Sequence, residues 1–234
     1  MTTAQPFDPK PAAQGYPLTF SVDYPERLSR LKTAFRLILV IPIVLVMAAL
    51  VGPEKIHVSF TALTYEDVIG TQDIVIFVPN PFVAFGGLLF LAPLLMIVFR
   101  RKYPRWWFDW NLQLLRFQNR ITAYLYLLRD EYPSTDDEQA VHLGMRYPDA
   151  ATELNRWLPL VKWLLAIPHY VILLVLGLVS MVVVVIAWFA ILITGRYPRP
   201  LFGFVVGFLR WGNRVTAYAF LLTTDRYPPF RLTR

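Results

Sequence analysis

From Leu160 to Thr194 the chain runs through 35 residues without an acidic side chain, and Lys162 and His169 are its only basic ones. A soluble domain of 234 residues builds one core. It cannot hide a run of this length and composition, which is the signature of membrane-crossing segments. Two shorter apolar runs, about 34–51 and 81–99, precede it. These runs predict an all-α membrane protein.

A second feature sets the organisation. Arg210-Trp211-Gly212-Asn213-Arg214-Val215-Thr216-Ala217-Tyr218 repeats, 94 residues later, the pattern Arg116-Phe117-Gln118-Asn119-Arg120-Ile121-Thr122-Ala123-Tyr124. Tyr-Pro-Arg precedes each copy (Tyr103 to Arg105, Tyr197 to Arg199), and a further Tyr-Pro follows (Tyr132-Pro133, Tyr227-Pro228). Upstream, Val40-Ile41-Pro42 matches Ala166-Ile167-Pro168, and Arg36 matches Lys162. Leu18, Phe20 and Val22 alternate with Thr19, Ser21 and Asp23 before Tyr24-Pro25, a strand pattern that Val141 to Arg146 repeats before Tyr147-Pro148.

The expected unit is therefore a short strand, a basic lead-in helix, a two-span hairpin and an amphipathic interfacial helix, used twice. Four transmembrane helices form two tandem parallel hairpin repeats. Residues 1–15 are a disordered tail. Repeat 1 covers 16–133, with spans at about 34–51 and 81–99, an outer loop 52–80 carrying two short strands, and an interfacial helix 106–129. An acidic linker, 134–140, leads to repeat 2 at 141–230. Its spans lie at about 160–177 and 178–194, turning near Gly177 to Ser180, with one very long helix over 160–194 as the alternative, and its interfacial helix covers 201–222.

Basic residues gather at the ends of the apolar runs: Arg27, Arg30, Lys32 and Arg36; Arg100, Arg101, Lys102 and Arg105; Arg196 and Arg199. That is the pattern of cytoplasmic flanks, so a multi-pass protein of the cytoplasmic (inner) membrane with both termini cytoplasmic is expected. The same charges, set beside spans and aromatics, point to anionic headgroups and away from nucleic acid. Arginines inside 106–129 and 201–222 would each cost roughly 2.5–3.5 kcal/mol in a spanning helix, which is why these segments are placed in the interface.

The second half resembles an uncharacterised family of bacterial integral membrane proteins with a duplicated domain of unknown function. The resemblance rests on Ala166-Ile167-Pro168-His169, Trp188-Phe189-Ala190, Thr194-Gly195-Arg196-Tyr197-Pro198, Asn213 to Tyr218 and Asp225-Arg226-Tyr227-Pro228-Pro229-Phe230. It is close over 146–230 and looser over 16–133, where the insertion 52–80 departs from a short hairpin. It implies a bacterial cytoplasmic membrane and carries no activity or site residues.

The candidate site residues are the arginine pairs Arg116/Arg120 and Arg210/Arg214. At i, i+4 they can fork onto a phosphate, a carboxylate or a partner, or else anchor the helices and pack one repeat on the other, with Asn119 and Asn213 beside them. His169 is an intramembrane polar position, open to a proton-relay role or to a neutral histidine bonded to a freed carbonyl. Gly203 and Gly207 replace Asp109 and Gln113 of the first copy and read as packing positions. His57 and His142 are isolated from metal-ligand spacing, and the chain has no cysteine, so neither a metal nor a cofactor is expected. No phosphate loop or nucleophile elbow occurs. The expected function is a non-enzymatic accessory or scaffold subunit of a membrane complex. Its partners would be anionic lipids and a membrane protein, met through 52–80 or the interfacial helices. The alternative is a small transporter or lipid-handling protein with a path between the hairpins.

Overall fold

A computed structural model describes residues 15–51, 56–59, 73–76, 88–135 and 137–233. In order these form β1 (Leu18–Val22), α1 (Arg30–Leu39), α2 (Ile41–Val51), β2 (Ile56–Ser59), β3 (Asp73–Ile76) and α3 (Leu88–Leu95), with a π-helical turn at Met96–Arg100. Then come α4 (Arg105–Leu125), β4 (Val141–Met145), α5 (Pro159–Leu165), α6 (Ile167–Thr194) and α7 (Arg199–Ala219). The chain is mostly helical, and the short strands expected before each repeat and within 52–80 form two antiparallel ribbons. β1 pairs with β4 about Phe20↔Leu143, and β2 pairs with β3 from Ile56↔Ile76 to Ser59↔Asp73. The expected tail 1–15 and the start of the expected second span fall almost wholly outside the described residues, as does most of the loop 52–80.

The largest correction concerns 160–194. The hairpin expected there is a short helix, α5, followed by one continuous helix, α6, of 28 residues. No turn forms near Gly177 to Ser180 because nothing there opposes a helix. A lone glycine costs only about 1 kcal/mol against alanine, and no proline or polar cluster reinforces it. A Cβ on Gly177 would lie 3.7 Å from the Phe208 ring, so this glycine brings α6 close to α7. The break falls earlier, at Ala166, two residues before Pro168. Proline has no N–H to give to the preceding turn, so a helix starts there more readily than it continues.

Pro42 has the same effect in the first half. It separates α1 from α2, so 34–51 is two helices, not one span. Pro93 lies inside α3, and the π-helical turn follows three residues later. By length and composition α6 is the one described helix able to cross a membrane.

The expected interfacial helices are a second correction. α4 and α7 match them in position, yet their C-terminal halves are buried. Only the start of α4 is open, with Trp106 69% and Trp110 42% exposed. From Leu114 onward α4 buries residues on every side, and α7 does so from Val205. The physical reason is that each helix is covered twice. β1 lies on α7, with a Tyr24–Phe202 ring contact at 5.0 Å, and β4 lies on α4, with Phe108–Tyr147 at 5.2 Å. On its other side α7 packs against α6.

α4 and α7 are each followed by a left-handed residue. Leu127 (φ 63) follows α4 and Leu222 (φ 57) follows α7, while Gly195 (φ 72) closes α6 and Arg101 (φ 49) closes the π-helical turn. Glycine takes this conformation freely and the others at a cost of about 1–2 kcal/mol. Both leucines are buried, which holds them in place.

Candidate functional site

α4 and α7 meet at Asn119 and Asn213. Each Nδ2 donates to the other's Oδ1, at 2.9 and 2.7 Å, and also to the carbonyl four residues back, Leu115 or Leu209. An asparagine side chain that bonds both its own helix and its twin fixes the crossing point. A cavity of about 30 Å³ lies at this junction, lined by Gln118, Thr122, Phe208, Gly212, Thr216 and the two asparagines. Gln118 is 3% exposed, and its amide nitrogen and oxygen have no protein partner. The position matching Gln118 in the second copy is Gly212, so the cavity is asymmetric.

The arginines of the repeated pattern turn inward. Arg116 Nε donates to Leu143 O of β4, and Arg210 Nε to Phe20 O of β1, each at 3.0 Å. Arg120 donates to Ser134 O at 2.8 Å. Arg214 donates to Arg231 O and Thr233 O, and Arg210 adds Leu232 O. The first arginine of each pair thus ties a strand to its helix, and the second ties down the segment after the helix. Burial, then the charges of Arg210 and Arg231, lower the pKa of Arg214. An outward fork for a phosphate is not what the four guanidiniums form.

Sequence reasoning missed the acidic partners of Arg36 and Lys162. Arg36 pairs with Asp130, and Lys162 Nζ lies 2.6 Å from Asp225 Oδ1 and 2.8 Å from Thr224 O. Arg36 stacks on Tyr124 at 4.5 Å and Lys162 sits over Tyr218 at 5.3 Å. The two carboxylates also accept the backbone N–H of Ser29 and Asn155. Lys162 is fully buried, and burial lowers its pKa more than Asp225 restores it. A signal was available: Asp130 and Asp225 each stand a few residues beyond a Leu-Leu that follows the repeated pattern.

His169 is fully buried. Its Nδ1 lies 3.1 Å from Trp211 Nε1. An indole N–H only donates, so Nδ1 accepts and the neutral ring carries its proton on Nε2, which has no protein partner. Phe230 stacks on the ring at 4.1 Å and Tyr227 lies at 4.8 Å. The histidine therefore faces α7 and the C-terminal segment, and its partner is a tryptophan instead of a freed carbonyl. Gly207 meets the same segment: an added Cβ would stand 2.9 Å from Leu232 Cβ and 3.0 Å from its carbonyl. Gly203 faces open space.

These features define a mostly helical protein with a polar junction inside and a wide exposed apolar surface outside. Leu31, Phe35, Leu37 and Ile38 of α1 contribute to that surface, as do Trp163 and Leu164 of α5 and a full-length face of α6. Residues 157–231, which hold α5, α6, α7 and the Asp225 segment, match the family model described as a domain of unknown function, DUF4389. No curated protein and no solved structure matches the chain.

Proposed function

We propose that this is a non-enzymatic, membrane-seated accessory or scaffold subunit of the bacterial cytoplasmic membrane, built from two tandem copies of one unit. The observation that carries the reading is the division of side chains. The repeated arginines, asparagines and Lys162 are used inside the protein, where they fix elements to one another. The large apolar residues of α1, α5 and α6 are left outside. A surface of that size and composition is covered by lipid or by another apolar surface.

Tandem duplication is supported by contacts made in matched pairs: Arg116 with Leu143 and Arg210 with Phe20; Arg36 with Asp130 and Lys162 with Asp225. Tyr24 OH donates to Tyr197 O, and Tyr147 OH to Tyr103 O. Anionic lipid contacts fall to the exposed basic residues Arg27, Arg30, Lys32, Arg100, Arg101, Lys102, Arg105, Arg196 and Arg199. The junction cavity among the described residues has room for about one or two waters, too little for a solute path at that point.

Affinity purification in mild detergent tests the assignment. A membrane protein recovered in stoichiometric amount is the expected result. Repeated recovery of a lone monomer, under conditions that keep other complexes intact, would remove the scaffold reading.

A further inference from the structure

The geometry points to α6 lying along the membrane surface as a half-inserted helix, with both of its ends on one side of the bilayer. The inference rests on the membrane seating proposed above and names its occupant, the boundary between headgroups and acyl chains of an anionic bilayer.

Its first support is the company α6 keeps. The helix is about 42 Å long at 1.5 Å per residue. α7 runs antiparallel beside it. A short connection from Gly195 joins them at one end, Phe208 meets Gly177 in the middle, and Trp211 reaches His169 towards the other. Tyr170 stacks on Phe220 just past the end of α7, at 6.0 Å. On the far side of α7 lies β1, held by Arg210 to Phe20 O, by Tyr16 OH to Arg214 O at 3.1 Å, and by the Tyr24–Phe202 contact. The order across the molecule is apolar face, α6, α7, ribbon.

Were α6 upright in a bilayer, α7 and the β1–β4 ribbon would stand upright beside it at the same depth. The ribbon has two strands, and beyond the carbonyls of Phe20 and Leu143, which Arg210 and Arg116 take, each strand keeps outer backbone groups that no neighbouring strand pairs. Thr19 of β1 is exposed. Open sheet edges are not tolerated in hydrocarbon, where no water satisfies them. With α6 lying flat, the ribbon faces water and the apolar face meets lipid.

The second support is charge. Near the C-terminal end of α6, Arg30 Nη2 donates to Ile193 O at 2.8 Å, which brings exposed Arg27, Arg30 and Lys32 beside Arg196 and Arg199. Towards the other end, Arg156 donates to Val98 O, which brings the segment leading into α5 and α6 beside exposed Arg100, Arg101 and Lys102. Positive charge thus flanks both ends, where it can meet the anionic headgroups of one leaflet. The exposed face between them is apolar throughout, with Val171 at 59%, Leu178 at 60%, Val185 at 55% and Ile193 at 73% exposure.

The chain has no cysteine, so single-cysteine variants are direct probes. Nitroxide labels at Val171→Cys, Leu178→Cys, Val185→Cys and Ile193→Cys in anionic vesicles should report one common shallow depth. An upright helix shifts depth by about 10–12 Å from each of these positions to the next. Thr152→Cys and Arg199→Cys should both react with an impermeant thiol reagent from the same side of sealed membranes. A depth profile that passes through the bilayer centre, or labelling from opposite sides, overturns the inference while leaving the membrane seating intact. Failure of the unlabelled protein to float with anionic vesicles would instead remove the seating itself.

Discussion

At the residue scale the Asn119–Asn213 pair tests whether the junction of α4 and α7 is held by polar contacts or by its apolar surroundings. Both side chains are almost fully buried, and each satisfies the other. Removing one leaves the twin's Oδ1 without a donor, at a cost of about 1–3 kcal/mol, while its Nδ2 keeps the carbonyl of its own helix. Removing both takes away the unsatisfied group along with the bond. Asn119→Ala and Asn213→Ala should therefore each lower the melting temperature in detergent. The double variant should lose less than the sum of the two, with a coupling of about 0.5–3 kcal/mol. Strict additivity would mean that the reciprocal bonds contribute nothing specific. The pair was visible in sequence as a repeated residue type, but its role was not. Spacing alone places an asparagine on a helix and does not reveal that its counterpart, 94 residues away, lies opposite.

At the element scale the two halves solve one problem with different residues. The segment before Tyr197-Pro198 ends in Gly195 at φ 72, while the segment before Tyr103-Pro104 ends in Arg101 at φ 49. Glycine suits that conformation and arginine does not. Arg101 is exposed, so its side chain gives little packing in return. Arg101→Gly should stabilise the protein by about 0.5–1 kcal/mol, read as a rise in the melting temperature in detergent, where no lipid contact is lost; a fall would show that the Arg101 side chain makes a contact within the protein. Boundaries at the Tyr-Pro pairs were legible, whereas the breaks next to Pro42 and Pro168 fall inside expected spans. The continuity of α6 was not legible. Basic flanks at both ends of 160–194 imply that both ends share a side, and a hairpin was the simplest way to achieve that. A single continuous helix was the alternative, and the structure has it. The burial of α4 and α7 was hidden for a similar reason. Their arginines look expensive in an apolar setting until the carbonyls of β1 and β4, far away in sequence, are found to receive them.

At the scale of the whole molecule the two halves are interlocked. β1 of the first lies on α7 of the second, and β4 of the second lies on α4 of the first, while the strands also pair with each other. Leu28 N–H donates to Gly195 O at 2.9 Å and Trp188 Nε1 to Thr33 O at 3.1 Å, so α1 of the first half is fastened to α6 of the second. The ion pairs Arg36–Asp130 and Lys162–Asp225, by contrast, close each half on itself. Folding therefore needs both halves, but the covalent link between them need only bring them together. It supplies effective concentration, which matters little once apolar strands and helices are mutually buried. A specific protease site placed at 136–138 should be cut in the purified protein without releasing either fragment, and the two should leave a sizing column together in mild detergent. Fragment 141–234 expressed alone lacks β1 and leaves the β4 edge and the strand-facing side of α7 uncovered. It should aggregate, or recover as a homodimer in which β4 pairs with its own copy. Separation of the cut fragments on the column would show that contacts between the halves are too weak to define the fold. A stable monomer of 141–234 would show that the strand exchange is dispensable, and that the first half is an appendage to a unit complete without it.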